Sequence, residues 1–151
     1  MKTLAIVWKR LVSDDGRTCE RCDATYKETC RAVDKLGEAL RPLGIEPKLE
    51  VRTIDQELFV SNPSESNRIW IAGRPMEEWL GAEIGSSRCC SVCGESDCRT
   101  VEVGGTAFEV IPAELLTKAA LIAAATLIDA VVVHTEGVAP GDESMRRPGD
   151  R

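Results

Sequence analysis

The hydrophobic pattern at the start of the chain changes from the period of a strand to that of a helix. Residues Thr3–Leu11 form an apolar, β-branched run, which predicts a buried first strand. A polar loop, Ser13–Arg17, follows. Beyond it, apolar side chains recur every three or four residues, as on one face of a helix: Tyr26, Cys30, Val33, Leu36 and Leu40. This order predicts a strand that leads through a short loop into a long helix.

The predicted helix carries signals at both ends. Thr25 and Glu28 have the spacing of a capping box, which places the helix N-terminus close behind Cys22. Pro42 and Gly44 are expected to end the helix, because proline cannot continue it and glycine tolerates the left-handed conformation that follows a last turn.

Later segments continue this mixture of short strands and helices. The pattern predicts strands at Ile45–Ile54 and Arg68–Ala72, short helices at Asp55–Val60 and Met76–Leu80 (the latter equally compatible with a strand), a cysteine-rich loop at Gly85–Arg99, a hairpin that turns at Gly104-Gly105, and a buried helix from Ala113 to about Val132. Strands separated by helices and followed by a hairpin predict an α/β fold with a mixed sheet flanked by helices. We expect one domain over residues 1–133 and a disordered polar tail over 134–151.

Composition narrows the functional classes. The 151 residues include 19 Lys and Arg against 25 Asp and Glu, a formal charge of −6. This balance does not favour the basic face that a nucleic acid or an anionic membrane would require. The start of the chain lacks the pattern of a signal peptide, and the longest apolar stretch, Ala119–Val133, is shorter than the roughly 20 residues of a membrane-spanning helix. We therefore expect a cytoplasmic protein.

Seven cysteines carry the candidate chemistry. In a reducing compartment, cysteines serve metal binding, redox cycling or burial rather than a disulfide framework. Cys19 and Cys22 lie between the first strand and the helix, whose N-terminal partial positive charge stabilises a thiolate. On a redox interpretation, Cys19 is the exposed catalytic nucleophile and Cys22 is the resolving thiol. On a metal interpretation, the pair is half of a metal site. Cys30, on the apolar stripe of the helix, is expected in the core.

A second group of cysteines lies within ten residues of sequence: Cys89, Cys90, Cys93 and Cys98. The segment Cys90-x-x-Cys93-Gly94 has the form of a zinc knuckle. These thiols are candidate metal ligands, alone or together with Cys19 and Cys22, and alternatively they are redox or resolving thiols. A thiolate-rich, histidine-poor set suits zinc, copper(I), mercury(II) or an iron–sulfur cluster. No organic cofactor is expected.

Two polar residues precede the predicted third strand. Asn67 and Arg68 are candidates for a substrate cleft if that strand lies beside the first one, and otherwise they make loop hydrogen bonds. Glu77 and Glu78 are interpreted as a solvated face. The only histidine, His134, stands at the edge of the tail, so a serine or cysteine triad with histidine is not expected.

The order of strand, Cys19-x-x-Cys22, helix and strand resembles the front half of thioredoxin and glutaredoxin. More closely, the chain up to about Ile128 resembles an uncharacterised thioredoxin-like family of bacteria and archaea, a domain of unknown function. The matching stretches are Thr18–Cys22, Glu65–Ile71, Glu77–Gly81, and Cys89–Gly94 with Cys98–Thr100. The resemblance implies a thioredoxin-like fold and brings no established reaction.

One departure from thioredoxin bears on function. Thioredoxin-type enzymes place a cis-proline just before the third strand, where it docks substrate thiols and keeps metals off the cysteine pair, whereas Asn67 stands there in this chain. Because a cis bond before a residue other than proline costs about 3–4 kcal/mol, we expect a trans bond. The missing cis-proline weakens the interpretation as a general disulfide reductase and favours metal binding by Cys19, Cys22 and another cysteine. We expect thiol–disulfide redox or thiol-transfer chemistry on a thiol or disulfide substrate. The alternatives are a soft-metal protein that exchanges its ion with a donor or acceptor protein, and a structural zinc module.

Overall fold

Two β-sheets carry the side chains of interest in this computed structural model, which describes residues 1–13, 15–88 and 95–128. The strands of the first sheet are Lys2–Leu11 (β1), Ile45–Ile54 (β2), Arg68–Ile71 (β3) and Arg74–Pro75 (β4), and those of the second are Glu83–Arg88 (β5), Asp97–Val103 (β6) and Thr106–Phe108 (β7). The helices are Glu20–Leu40 (α1), Gln56–Ser61 (α2), Met76–Leu80 (α3) and Ala113–Leu127 (α4). Most of these bounds agree with the sequence pattern.

The first sheet is mixed. Its strand order is β2-β1-β3-β4. β1 runs parallel to β2 over ten residue pairs, from Lys2 opposite Ile45 to Leu11 opposite Ile54, and antiparallel to β3. The second sheet is antiparallel, with strands in the order β5-β6-β7. The expected mixed α/β architecture with flanking helices is therefore confirmed.

Alternate residues of β1 build the core. Leu4, Ile6 and Trp8 are fully buried. The indole ring of Trp8 stacks on the ring of Tyr26 with centroids 5.1 Å apart, so this face of the sheet is covered by α1. The opposite face carries the more exposed Ala5 and Val7. Thus the alternation in the first strand predicts the inner face correctly.

The start of α1 corrects the capping-box prediction. The helix begins at Glu20, with Cys19 as its N-cap. Thr25 and Glu28 instead have partners from distant parts of the chain: Thr25 Oγ1 accepts the amide of Ile111 at 3.2 Å, and Glu28 Oε2 accepts the amide of Ala113 at 2.8 Å. The capping motif was misassigned because these two side chains bind the segment that enters α4, which a local pattern cannot show.

One expectation about Cys30, one about the cysteine-rich loop and one about the last helix differ from the structure. Cys30 is half-buried rather than in the core, because the buried stripe of α1 runs through Thr25, Thr29 and Ala32. The first residues of the predicted cysteine-rich loop, 85–88, belong to strand β5 instead. A Cβ at Gly85 would lie 2.7 Å from Thr100 Oγ1 on the paired strand.

Helix α4 is not buried on most sides. Leu121 and Ile122 on it are exposed, because α1 and the first sheet cover only its alanine-rich side. The predicted tail, 134–151, lies outside the described residues. No helix within 1–13, 15–88 and 95–128 is long and apolar enough to cross a membrane.

Candidate thiol site

The first cysteine pair occupies the first turn of α1. Cys19 has extended backbone angles and caps the helix, and the amide of Cys22 donates a hydrogen bond to Cys19 Sγ at 3.4 Å. A helix N-cap receives backbone N–H groups that have no partner within the helix, and the helix dipole adds partial positive charge. The turn therefore holds the Cys19 sulfur where negative charge is stabilised.

Both thiols are buried. Cys19 is 2% exposed and Cys22 is 1% exposed, and both belong to the hydrophobic core cluster. The expectation that Cys19 is an exposed thiol is therefore wrong. The cause is that the first turn of α1 packs into the buried cluster that also contains Cys98 and Val101 of the second sheet.

The Cys22 thiol holds its proton more tightly than an ordinary cysteine does. The pKa of Cys22 is raised above its ordinary value, first because its thiol shares a hydrogen bond with Cys19, then because of burial and the charge on Cys19. The contact with Ser66 acts in the opposite direction. Cys22 therefore keeps its proton and shares it with the Cys19 sulfur.

Ser66, in the turn before β3, is the residue that reaches the pair from this part of the chain. Its Oγ lies 3.6 Å from Cys22 Sγ. The preceding expectation placed Asn67 there, but the Asn67 side chain accepts from Trp8 Nε1 at 3.0 Å and donates to Thr25 Oγ1 at 3.1 Å. Asn67 has a positive φ of 59°, and no peptide bond among the described residues is cis. The expected trans bond before Asn67 is confirmed, and Asn67 holds the turn that presents Ser66.

Cys98 joins the first pair from the second sheet. It lies on β6, is 1% exposed, and its charge contributes to the raised pKa of Cys22. Cys89, Cys90 and Cys93, the other expected ligands, lie outside the described residues. Within residues 1–13, 15–88 and 95–128, no group of three or more His, Cys, Asp or Glu side chains is placed to hold a metal ion.

Arg21, between the two cysteines, ties the pair to the second sheet. Its guanidinium Nη2 donates to Ser87 Oγ and to the carbonyl oxygen of Arg88, both at 2.9 Å, and lies 3.3 Å from a carboxylate oxygen of Glu109. The Arg21 side chain is only 9% exposed. Arg88 is the last residue of β5, so this bond brings the end of that strand to the cysteine pair.

A buried ion pair holds the other side of the site. Arg99 Nη2 lies 2.5 Å from Glu77 Oε1, with the two side chains 2% and 7% exposed. Arg99 Nη1 also donates to the carbonyl oxygen of Ser64 at 3.1 Å. Glu77 was interpreted as solvated, which is wrong because Arg99 covers it. The ion pair joins β6 to α3, and the hydrogen bond to Ser64 joins β6 to the turn that carries Ser66.

Arg68 extends this pair into a chain of charges. It pairs with Glu65, lies 3.8 Å from Glu77 Oε1, and its guanidinium carbon is 4.4 Å from the ring centroid of Trp70. Burial alone would raise the pKa of Glu65, but hydrogen bonds from Lys9 and Arg68 hold that pKa below its ordinary value. Arg68 thus lies among charged partners rather than beside the thiols.

Sequence reasoning missed Ser66, Glu77 and Arg99 as residues that shape the site. All three stand in the stretches that carry the family resemblance, which was the available signal. Their contacts join segments that are distant along the chain, so local periodicity could not identify them.

Comparison with known proteins places the chain in a family. Residues 4–120 match the family model described as "Domain of unknown function (DUF2703)". An "Uncharacterized protein" of Archaeoglobus fulgidus is 46% identical over 113 residues, which cover 75% of this chain and 82% of that protein. No solved structure matches the chain. The matched stretch includes Cys19, Cys22 and the whole second cysteine group, and the chain belongs to the DUF2703 family.

Proposed function

We propose that the protein carries out thiol–disulfide exchange, with Cys19 as the nucleophile and Cys22 as the resolving thiol. The observation that carries this proposal is the asymmetry of the pair. Cys19 receives a backbone amide at the helix N-cap, while the raised pKa of Cys22 keeps a proton on the sulfur beside it. When one sulfur of a pair ionises first, that sulfur attacks the substrate and the other one later resolves the mixed disulfide.

In the proposed reaction, the two electrons that reduce the substrate disulfide come from the two cysteine thiols of the pair. The Cys19 thiolate attacks one sulfur of a disulfide and releases the other half as a thiolate, which takes up a proton. Cys22 then loses its proton and attacks the Cys19 sulfur, which releases the second half as a thiol. The substrate gains two electrons and the protein gains a Cys19–Cys22 disulfide. The Ser66 hydroxyl, 3.6 Å from Cys22 Sγ, is placed to donate a hydrogen bond to that sulfur as it loses its proton.

The surroundings of the pair support a thioredoxin-like scaffold and a small substrate. The pair follows β1, opens α1, and is followed by a strand parallel to β1, which is the order expected of a thioredoxin-like chain. Burial of both thiols favours small thiols or disulfides over folded proteins. The net charge of −6 supports neither a nucleic acid nor an anionic membrane as a partner. We propose a cytoplasmic setting, where thiols stay reduced.

The experiment follows reduction of glutathione disulfide and of cystine, with dithiothreitol as the terminal reductant. The wild-type protein is expected to turn over, and Cys19→Ser is expected to lose at least about a thousandfold of the rate, as nucleophile removal does in other enzymes. Cys22→Ser is expected to stop after the first step and to accumulate a mixed disulfide on Cys19, which mass spectrometry detects as a bound substrate half.

Cys30→Ser is the matched control, because Cys30 is a half-buried thiol on the same helix and away from the N-cap. This variant is expected to retain the wild-type rate. Full activity in Cys19→Ser, or a mixed disulfide located on another cysteine in Cys22→Ser, would contradict the assignment.

Soft-metal binding is the alternative function, supported by a third buried thiol, Cys98, whose charge acts on Cys22 from the second sheet. Thiolate ligands suit zinc, copper(I) or mercury(II). Cys19, Cys22 and Cys98 are not placed to hold an ion by themselves. In this alternative, Cys89, Cys90 and Cys93 supply further ligands, the partner is a metal donor or acceptor protein, and a structural zinc is a variant of the same site.

Elemental analysis and a free-thiol count separate the two functions. The protein is purified without added metal in the absence of oxygen. About one ion per chain, with Cys19, Cys22 and Cys98 protected from alkylation, supports the metal site. Metal-free protein with all seven thiols reactive after denaturation supports exchange chemistry.

A further inference from the structure

The outer edge of β2 is an unpaired strand edge within the described residues. β2 is the end strand of the four-stranded sheet. The amide of Lys2 donates to Gly44 O at 2.8 Å and that of Val12 donates to Ile54 O at 3.2 Å. The even-numbered residues of β2 therefore direct their N–H and C=O groups toward β1. Because these groups alternate along a strand, the odd-numbered residues direct theirs outward.

This edge is only partly protected against pairing. Edge strands are commonly shortened, bulged, interrupted by proline or lined with charged side chains. β2 keeps a continuous register of ten pairs with β1 and shows no bulge. Pro47 is an outward-directed residue, so its missing N–H removes one donor from the edge while the pairing with β1 stays intact. Ile45, Leu49, Val51 and Thr53 retain outward donors and acceptors.

Charges alternate along one face of the same strand. The side chains of Glu46, Lys48, Glu50 and Arg52 are 53%, 63%, 58% and 54% exposed. Their β1 partners include Ala5 and Val7 rather than the buried Leu4, Ile6 and Trp8, so they stand on the sheet face opposite α1. The order of signs along the strand is minus, plus, minus, plus.

We propose that β2 pairs with β2 of a second copy of this chain, antiparallel, with Leu49 opposite Leu49. In this register Glu46 faces Arg52 of the second copy and Lys48 faces Glu50. Each pair occurs twice by the two-fold symmetry of such an interface. The two sheets then form one continuous sheet of eight strands, counted from the four in each copy.

The charges favour this register over the two nearest alternatives. Across this edge, the outward-directed, odd-numbered residues of β2 pair only with odd-numbered residues of the second copy. The nearest alternative registers therefore shift one strand by two residues along the other. One of them places Glu50 opposite Glu50 and Lys48 opposite Arg52. The other places Lys48 opposite Lys48 and Glu46 opposite Glu50. Because like charges directly opposite each other are unfavourable on a sheet, only the register centred on Leu49 places each of the four charged residues opposite a residue of opposite charge.

The face toward α1 also fits a second copy. Val51 is 39% exposed and would face Pro47 of the second copy, while the two Leu49 side chains would meet at the symmetry axis. A groove of about 640 Å³ lies beside these positions, and its lining includes Val33, Gly37, Ile45 and Pro47. In the proposed register, Val51 and Thr53 of the second copy would lie opposite Pro47 and Ile45 at the edge of this groove.

The test measures the mass of the full reduced chain in solution by light scattering and sedimentation over a range of concentrations. A dimer is expected. Lys48→Glu places Glu opposite Glu50 twice, and Glu50→Lys places Lys opposite Lys48 twice. Each single variant is expected to raise the dimer dissociation constant about tenfold. The double variant K48E/E50K restores opposite charges and is expected to return the constant to near the wild-type value.

A backbone variant tests the strand pairing itself. Val51→Pro removes an outward N–H and places a ring at the edge, while β1 still pairs with the even residues. It is expected to yield a monomer with an unchanged circular dichroism spectrum. Lys27→Glu, an exposed reversal on α1, is the control and is expected to leave the dimer unchanged. A monomeric wild type, a dimer insensitive to Val51→Pro, or a double variant as weak as the single ones would overturn the proposal.

Discussion

The two sides of the four-stranded sheet use charged residues in opposite ways. On the β2 side, Glu50 and Arg52 form a pair with both side chains more than half exposed. Beyond β3, Glu77 and Arg99 form a pair with both side chains almost fully buried. Exposed pairs contribute about 0–1 kcal/mol, whereas removal of one partner of a buried pair leaves a charge without compensation. We therefore expect changes to the charges on the β2 side to act on the proposed association, and changes to the charges beyond β3 to act on the structure around the thiol site.

The largest effect is expected from breaking the buried pair. Arg99→Met leaves the Glu77 carboxylate buried, with Arg68 3.8 Å away as partial compensation. The free energy of unfolding is expected to fall by about 3–5 kcal/mol, measured by urea denaturation. The matched control is Arg74→Met, because Arg74 pairs with the neighbouring Glu78 while both side chains are half-exposed. A change below about 1 kcal/mol is expected there.

The pair can also be replaced as a unit. The double variant E77L/R99M removes both buried charges, so it is expected to recover most of the stability lost in Arg99→Met. If the double variant were as unstable as the single one, packing rather than charge would explain the loss. Equal effects for Arg99→Met and Arg74→Met would remove the contrast between the two sides.

The next effect concerns Asn67, which holds the turn that carries Ser66. Asn67→Ala leaves Trp8 Nε1 without its acceptor, removes one of the two hydrogen bonds that Thr25 Oγ1 accepts, and places alanine at a φ of 59°. The free energy of unfolding is expected to fall by about 2–4 kcal/mol. Asn62→Ala, which affects an exposed asparagine, serves as the control and is expected to change it by less than about 0.5 kcal/mol. An Asn67→Ala protein as stable as the control would contradict the positioning role.

The smallest effect is the dependence of stability on pH that Glu65 contributes. Hydrogen bonds from Lys9 and Arg68 hold the pKa of Glu65 below its ordinary value of 4.5. Its contribution is therefore fully present above pH 4.5 and is lost as the pH falls through the lower pKa of the folded state. Glu65→Gln is expected to make the unfolding free energy less dependent on pH in this acidic range. If the unfolding free energy of Glu65→Gln, measured by urea denaturation, changed with pH between 5 and 2 as steeply as that of the wild type, the contacts of Glu65 with Lys9 and Arg68 would contribute nothing to this pH dependence.

Most of the scaffold could be predicted from the sequence, because local patterns determine it. The strand Ile45–Ile54 and the helix end at Pro42 and Gly44 agree with the structure. The start of the first helix could not be predicted, because Thr25 and Glu28 bind the amides of Ile111 and Ala113 rather than those of their own helix. The sequence pattern of a capping box is the same whether the two side chains cap their own helix or bind the amides of a distant segment.

The candidate site was only partly predictable. The spacing of Cys19 and Cys22 indicated a thiol pair, but its burial depends on how the second sheet packs against α1. Glu77 and Glu78 look alike in sequence, and only a contact with Arg99, 22 residues later, distinguishes the buried one from the exposed one. Long-range pairs of this kind decide which polar residues belong to the site.

The central claim, that Cys19 ionises before Cys22, is tested most directly by alkylation rates measured across pH. Trypsin cuts after Arg21, so the two thiols fall in separate peptides and mass spectrometry reads each one separately. We predict a midpoint for Cys19 below the free-thiol value of about 8.5, and a midpoint for Cys22 well above it. Equal midpoints, or a lower midpoint for Cys22, would contradict the proposed roles of the two cysteines.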